Sequence, residues 1–287
     1  MEKKTAADGG FTTVIKPKTG LFDIDLKEVW QYRDLIWIYT KRTFKLTYKQ
    51  TILGPAWIFL NPFLTSLIYV FVFGGIAGIP TDGIPQLLFY LGGNAIWMFF
   101  SSSLTKTAAT FTANANVFGK VYFPRLTMPI STVLSSAINF CVQMLLFLAF
   151  WAFYLVRGQI APHFTAIVFL PLVLLQVGAL ALGCGIIISS LTTKYRDLAI
   201  LVTFGAQLWM YITPVVYPMS TLGDGWMRTI LLINPMTSAV EAFRYMFLGQ
   251  GMVDPLCWAW SIAFTLVVLV LGVVLFSRVE KTFMDTV

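Results

Sequence analysis

Apolar and polar residues fall in blocks along this chain. Six uncharged, apolar stretches, at residues 50–81, 83–105, 126–156, 158–193, 198–223 and 255–277, are separated by short polar connectors. Each stretch can hold the ~20 apolar residues that let an α-helix cross a hydrocarbon layer ~30 Å thick. The pattern predicts an all-α membrane protein with six transmembrane helices, at about 54–78, 84–105, 129–156, 164–191, 198–218 and 255–277. The connector near residues 79–84 is so short that the first two spans form a tight antiparallel hairpin.

Two segments follow a different pattern. Residues 1–24 are polar and glycine-containing and read as a flexible tail, whereas residues 25–46 read as an amphipathic helix. Asp25 can cap it with Glu28 reaching back, a capping box. Leu26, Val29, Trp30, Ile36, Trp37, Thr40 and Phe44 gather on one face, with Arg33 as the exception. Such a helix lies in a membrane interface, where tryptophans suit the headgroup layer; an ordinary helix packed on a partner is the other reading. Between the fifth and sixth spans lie about 35 residues broken by Gly223, Gly225, Pro235, Gly249 and Gly251. Two apolar pieces there, residues 229–240 and 242–248, are too short to cross and read as half-helices dipping in from outside. Glu241 and Arg244 within them are i, i+3 neighbours placed to pair.

Charge then orients the chain. The side holding the N-terminus collects 17 of the 20 Lys and Arg, and the other side has Arg157, Arg228 and Arg244. The positive-inside bias therefore places both termini in the cytoplasm, and the net charge of +7 is a collar against anionic lipid rather than a nucleic-acid signal. With 57% apolar and 11% charged residues, the composition departs from the roughly 25% charged residues of soluble domains. The first 50 residues show no apolar signal-peptide core. Cys141, Cys184 and Cys257 lie inside spans without metal or redox spacing and read as small packing residues.

The chemistry of an enzyme or an ion-coupled carrier is not spelled out. There is no GxxxxGK[ST] phosphate loop, no HExxH, and a single histidine, His163, on an outside loop. The central spans offer no acidic coupling groups. Energy for transport then has to come from a separate ATP-hydrolysing chain. The connector from 114 to 129 mixes Phe118, Tyr122 and Phe123 with Lys120, Pro124 and Arg125. Exposed aromatics there make a docking surface, or else they are interface aromatics; periodicity leaves both readings open.

Several of these segments match a known family. The run from Tyr48 to Trp57 (YKQTILGPAW), that from Phe123 to Pro129 (FPRLTMP), Lys194 to Leu198 (KYRDL), Asn234-Pro235, and Val279 to Asp285 (VEKTFMD) resemble, in order, membrane subunits of ABC-2 type exporters. They resemble most the branch exporting lipid-linked polysaccharide, the O-antigen, teichoic-acid and capsule permeases. The resemblance covers about residues 24–287.

That resemblance implies a permease of the bacterial cytoplasmic membrane, working as two copies with two nucleotide-binding ATPase chains. ATP and magnesium would sit on the ATPase, with no cofactor on this chain. Residues 114–129 would be the coupling region, with Phe118, Lys120, Tyr122, Phe123, Pro124 and Arg125 engaging the ATPase. The helix at 25–46 would be an interfacial gate, where Trp30, Arg33, Trp37, Lys41, Arg42, Lys45 and Lys49 meet lipid heads. The conduit would run along the interface between copies, beside the first and fifth spans. Trp57, Tyr69, Trp209, Tyr211 and Tyr217 are its candidate sugar-stacking platforms, with lipid-facing belt positions as the alternative, and Trp209 and Tyr211 cannot both face it. The implied cargo is an undecaprenyl-linked glycan. An exporter of a small drug or lipid, and a scaffold that transports nothing, are the competing functions.

Overall fold

The computed structural model describes residues 26–49, 51–118, 123–192, 195, 197–223 and 225–283. The expected tail, Asp25 of the capping box, Lys120 and Tyr122 of the connector, and Lys194 and Arg196 lie outside these. The described residues are overwhelmingly helical and contain no strand. The helices are α1 (Leu26–Gln31), α2 (Arg33–Tyr48), α3 (Trp57–Tyr69), α4 (Gln86–Ala108), α5 (Thr110–Phe118), α6 (Thr127–Val156) and α7 (Phe164–Ile167). They continue with α8 (Leu170–Thr192), α9 (Leu198–Tyr211), α10 (Trp226–Ile233), α11 (Pro235–Leu248) and α12 (Pro255–Phe283).

Among the described residues, five helical segments are long and apolar enough to cross a membrane: Gly54–Ile76, Gln86–Ala108, Thr127–Val156, Leu170–Thr192 and Pro255–Arg278. The first combines a short 3-10 turn, α3 with Pro62 inside it, and a π-helical stretch Val70–Ile76. The fifth expected span is shorter than its hydropathy suggests. Regular helix stops at Tyr211. At ~1.5 Å per residue its 14 residues reach only about 21 Å. Pro214 explains the stop, since its ring would clash with the carbonyl of Met210 if the helix continued.

The amphipathic segment is also two helices, because the backbone at Tyr32 leaves helical geometry (φ −90°, ψ 19°). The break turns Val29, Ile36 and Thr40 inward and leaves Trp30 and Trp37 exposed. The single apolar face expected from the sequence is therefore divided. The break between the two short helices α10 and α11 falls at Asn234-Pro235 rather than at Glu241. Pro235 takes the first helical position, where its missing N–H is harmless, and Asn234 caps.

α4 is the pillar of the molecule, with α3, α6, α8, α9 and α11 packed around it. α2 lies along α6, and α12 packs on the outer side of α8. That last crossing is close because Gly183 of α8 and Gly272 of α12 face each other: a Cβ at Gly272 would stand 2.7 Å from the Gly183 carbonyl oxygen. α1, α2, α5 and the segment leading into α6 share one end, here the basic end. The α3–α4 turn, α10 and α11 form the far end. α3 and α9 are both sparsely covered. α9 buries Ala206 alone, and α3 buries Ile58, Pro62 and Ser66.

Candidate functional site

The far end is built around α11, whose side chains are almost all buried. Glu241 and Arg244, on one face, form a 2.8 Å ion pair that is nearly inaccessible to solvent. Two buried charges are tolerable only when their remaining hydrogen-bonding capacity is used, and here much of it is. Arg244 donates to the carbonyls of Val215 (2.8 Å) and Tyr217 (3.3 Å), and its guanidinium lies 3.8 Å over the ring of Phe89. The second carboxylate oxygen of Glu241 accepts from the Met252 backbone N–H at 3.0 Å. The pair thus fastens α11 to the non-helical segment after α9 and to the start of α4.

Asn234 makes a second lock. Its Oδ1 accepts from the Met236 backbone N–H and from Trp209 Nε1, both at 3.0 Å. Its Nδ2 donates to the Ile212 carbonyl and to Thr213 Oγ1, both at 2.9 Å. One amide therefore caps α11 and closes the end of α9, which is a physical reason for the Asn-Pro pair. Trp209 also stands edge-on to Phe100, centroids 5.0 Å apart. His163, read from the sequence as an isolated loop histidine, instead stacks on Tyr245 at 4.1 Å, and Trp151 Nε1 donates to the Phe247 carbonyl.

Of the five conduit candidates, the structure brings few together. Tyr211 is exposed, and its neighbour-but-one Trp209 turns inward to Asn234. Tyr217 donates through its hydroxyl to the Tyr211 carbonyl at 2.9 Å. These two tyrosines share an apolar far-end cavity of about 660 Å³ with Pro80, Trp226 and Ile230. Tyr69 donates to the sulfur of Met210 at 3.4 Å, a bridge between the first span and α9. Trp57 stands apart at the basic end, in a second cavity of about 320 Å³. Around the tyrosines, the exposed face of these helices is mostly aliphatic and phenylalanyl, including Leu64, Ile68 and Phe71 of the first span and Leu201, Phe204 and Leu208 of α9.

At the basic end the connector after α5 differs from the exposed aromatic loop expected. Phe118, Phe123 and Arg125 are buried. Phe118 packs between Phe111 and Phe123, at 5.9 and 5.8 Å, with the Arg125 guanidinium 5.5 Å above its ring. Phe111 in turn stacks on Phe276 of α12 at 4.5 Å. These side chains hold the connector against the bundle, and Pro124 is the member of the described set left partly exposed. The alternation of aromatics and charges gave no sign of this, because the partners, Phe111 and Phe276, lie in other helices.

Along α2, Lys41, Arg42, Lys45 and Lys49 are exposed, as is Arg33. The Arg33 guanidinium lies 5.9 Å from the Trp30 ring and the Lys41 ammonium 5.1 Å from Trp37, cation–π pairs with both members on the surface. Thr40 anchors the helix to α6 by sharing its hydroxyl with the Ile36 and Ser131 carbonyls.

A bundle around a buried pillar, a far-end cap of short locked helices, a basic-end helix laid along the bundle and several helices long and apolar enough to cross a bilayer mark a multi-pass membrane domain. The family profile described as ABC-2 type transporter matches residues 34–248. The chain belongs to the ABC-2 type transporter family. It is 31% identical over 231 residues to the O-antigen export system permease protein RfbA of Myxococcus xanthus, covering 80% of this chain and 86% of that one. A permease of the same name from Klebsiella pneumoniae is 30% identical over 217 residues, covering 75% and 81%.

Proposed function

We propose that this chain is the membrane-spanning subunit of an ATP-driven exporter that carries a lipid-linked, O-antigen-like polysaccharide out across the bacterial cytoplasmic membrane. Its basic end and both termini face the cytoplasm, where two ATPase chains, holding ATP and magnesium, dock on two copies of the permease through the 114–129 connector. The observation that carries the reading is the uncovered face of α3 and α9 beside the buried pillar α4. A second copy set against that face encloses a path between the two, with Tyr211 and Tyr217 at its outer end. The names of the relatives supply the cargo class. The Trp and Lys/Arg surface of α1–α2 lies in the headgroup layer and admits the anionic lipid head. ATP-driven closure of the docked subunits moves the buried aromatic cluster, and with it α5, α6 and α12, as one body.

The aliphatic character of the α3/α9 face favours a second reading, export of a lipid or small apolar molecule. One experiment separates them. The permease is reconstituted with a candidate ABC ATPase, and outward movement of undecaprenyl-pyrophosphate-linked glycan and its stimulation of ATP hydrolysis are measured. Movement and stimulation by the glycan-bearing lipid, absent with the same lipid lacking its glycan, are expected. Equal stimulation by both selects the lipid reading and overturns the polysaccharide one.

A further inference from the structure

At the basic end α2, α3, α4 and α6 draw apart around the cavity of about 320 Å³. Its chemistry is unusual for its depth. Asn139 and Gln143 lie one turn apart near the middle of the 30-residue α6, where a lipid-facing amide would be costly. Asn61 faces them from α3, and Ser102 and Lys106 from α4. The hydroxyls of Ser102 and Ser136 are within 3.2 Å of each other, and the Tyr48 hydroxyl donates to Asn139 Oδ1 at 3.1 Å. These bonds leave two groups unanswered among the described residues. Gln143 Oε1 is buried without a donor. Lys106 has no carboxylate beside it, because no Asp or Glu lines the cavity. Trp57, Thr51 and Lys106 remain exposed and mark the mouth.

A ligand that satisfies this lining carries an anionic oxygen for Lys106, a hydroxyl to donate to Gln143 Oε1, and a small body to lie against Trp57. The volume is at the low end of ligand pockets, enough for a headgroup and not for a polymer. We propose that this cavity binds the phosphate-bearing polyol headgroup of an anionic lipid, with the lipid tails leaving past Trp57. Two lipids offer that chemistry, a membrane phospholipid such as phosphatidylglycerol and the phosphate-linked first sugar of a lipid-linked glycan. The chemistry of the lining holds whatever the permease carries, and its test uses neither ATP nor cargo movement. Its failure and the failure of the export reading are therefore separate results.

The full chain is purified in detergent, incubated with phosphatidylglycerol, phosphatidylcholine or undecaprenyl-pyrophosphate-linked disaccharide, and the lipid retained after washing is counted by native mass spectrometry. Wild type is expected to retain one phosphatidylglycerol or one glycan lipid per chain. Whichever is kept identifies the source. Lys106→Gln is expected to lower retention at least tenfold, and Lys106→Arg to restore it. Gln143→Leu, which changes no charge, gives the same loss and serves should Lys106→Gln not purify. Retention of phosphatidylcholine equal to that of both other lipids, or undiminished retention in the variants, overturns the assignment.

Discussion

Arg244 Nη2 donates to the carbonyl of Val215 at 2.8 Å across 29 positions of sequence. A side chain of the buried far-end helix α11 thereby terminates the polar backbone left open where α9 ends. Backbone groups released by a broken helix are tolerated inside a membrane protein only when something buried satisfies them. Glu241 balances the guanidinium charge and orients it, so the ion pair is part of the backbone accounting of the far end.

Removing one partner of this pair is expected to be far worse than removing both. Arg244→Met leaves the Glu241 carboxylate buried and two carbonyls without a donor, a loss on the order of 3–5 kcal/mol. Glu241→Gln keeps one acceptor for Arg244 but turns an amide NH2 toward the Met252 N–H and leaves the guanidinium charge uncompensated, so it should cost a similar amount. The double variant should melt above Arg244→Met alone. Thermal unfolding of the detergent-purified chain checks the order, and a double variant no more stable than Arg244→Met would show that the lost carbonyl bonds, and not the stranded charge, dominate.

Asn234 offers a cleaner measurement, because its four hydrogen bonds divide between two functions. Asn234→Ala loses the cap of α11 and the closure of α9, a cost of about 1 kcal/mol for the cap and about 1–3 kcal/mol for buried groups left unpaired. Trp209→Phe loses one bond and keeps the packing on Phe100, so it should fall by about 1 kcal/mol. Asn234→Asp retains an acceptor for Met236 and Trp209 but cannot donate to Ile212. Melting temperatures should rank wild type, Trp209→Phe, Asn234→Asp, Asn234→Ala. Trp209→Phe as damaging as Asn234→Ala would make the indole, rather than the amide, the lock.

Hydropathy and charge sufficed for the class of fold, because crossing a hydrocarbon layer imposes a length and composition that are written locally. The Glu241–Arg244 pair was legible for the same reason, as an i, i+3 spacing on one helix. What escaped the sequence depends on distant partners. Phe118 and Phe123 read as surface aromatics until Phe111 and Phe276 were seen to cover them. The length of α9 was overestimated because an uncharged window continues through Pro214 and Pro218, where apolarity persists after helical geometry has ended. The basic-end cavity escaped because its polar groups come from four helices far apart in sequence, so no single run shows them as a motif.

The buried aromatic cluster changes what a charge reversal in the connector should do. Arg125 lies buried over Phe118, so Arg125→Glu is expected to destabilise the chain as well as weaken ATPase association. Lys120→Glu is expected to weaken association more than it lowers the melting temperature. Phe276→Ala removes the ring stacked on Phe111, a loss of about 3–5 kcal/mol for a buried phenylalanine, and should loosen the connector without touching its surface. Co-purification of the ATPase together with thermal unfolding separates the three. Loss of stability in Lys120→Glu would place that side chain in the cluster too.

The crossing of α8 and α12 gives a last test, of packing rather than polarity. A Cβ at Gly272 would approach the Gly183 carbonyl at 2.7 Å, and one at Gly183 would meet the Leu269 backbone at 2.9 Å. Backbone cannot swing aside as a side chain can, so the helices must separate. Between helices in lipid, association depends on close van der Waals approach, and small residues provide it. Gly272→Ala should therefore cost about 1–3 kcal/mol, the range for overpacking, despite the better helix propensity of alanine. A Cβ at Gly205, on the sparsely covered α9, would meet nothing within 4 Å, so Gly205→Ala should leave the single chain's stability unchanged or raise it by up to about 1 kcal/mol from propensity. If instead Gly205→Ala lowers stability in the assembled complex but not in the separated chain, the second copy sits against this face of α9. Equal effects in both would place the meeting of the two copies elsewhere.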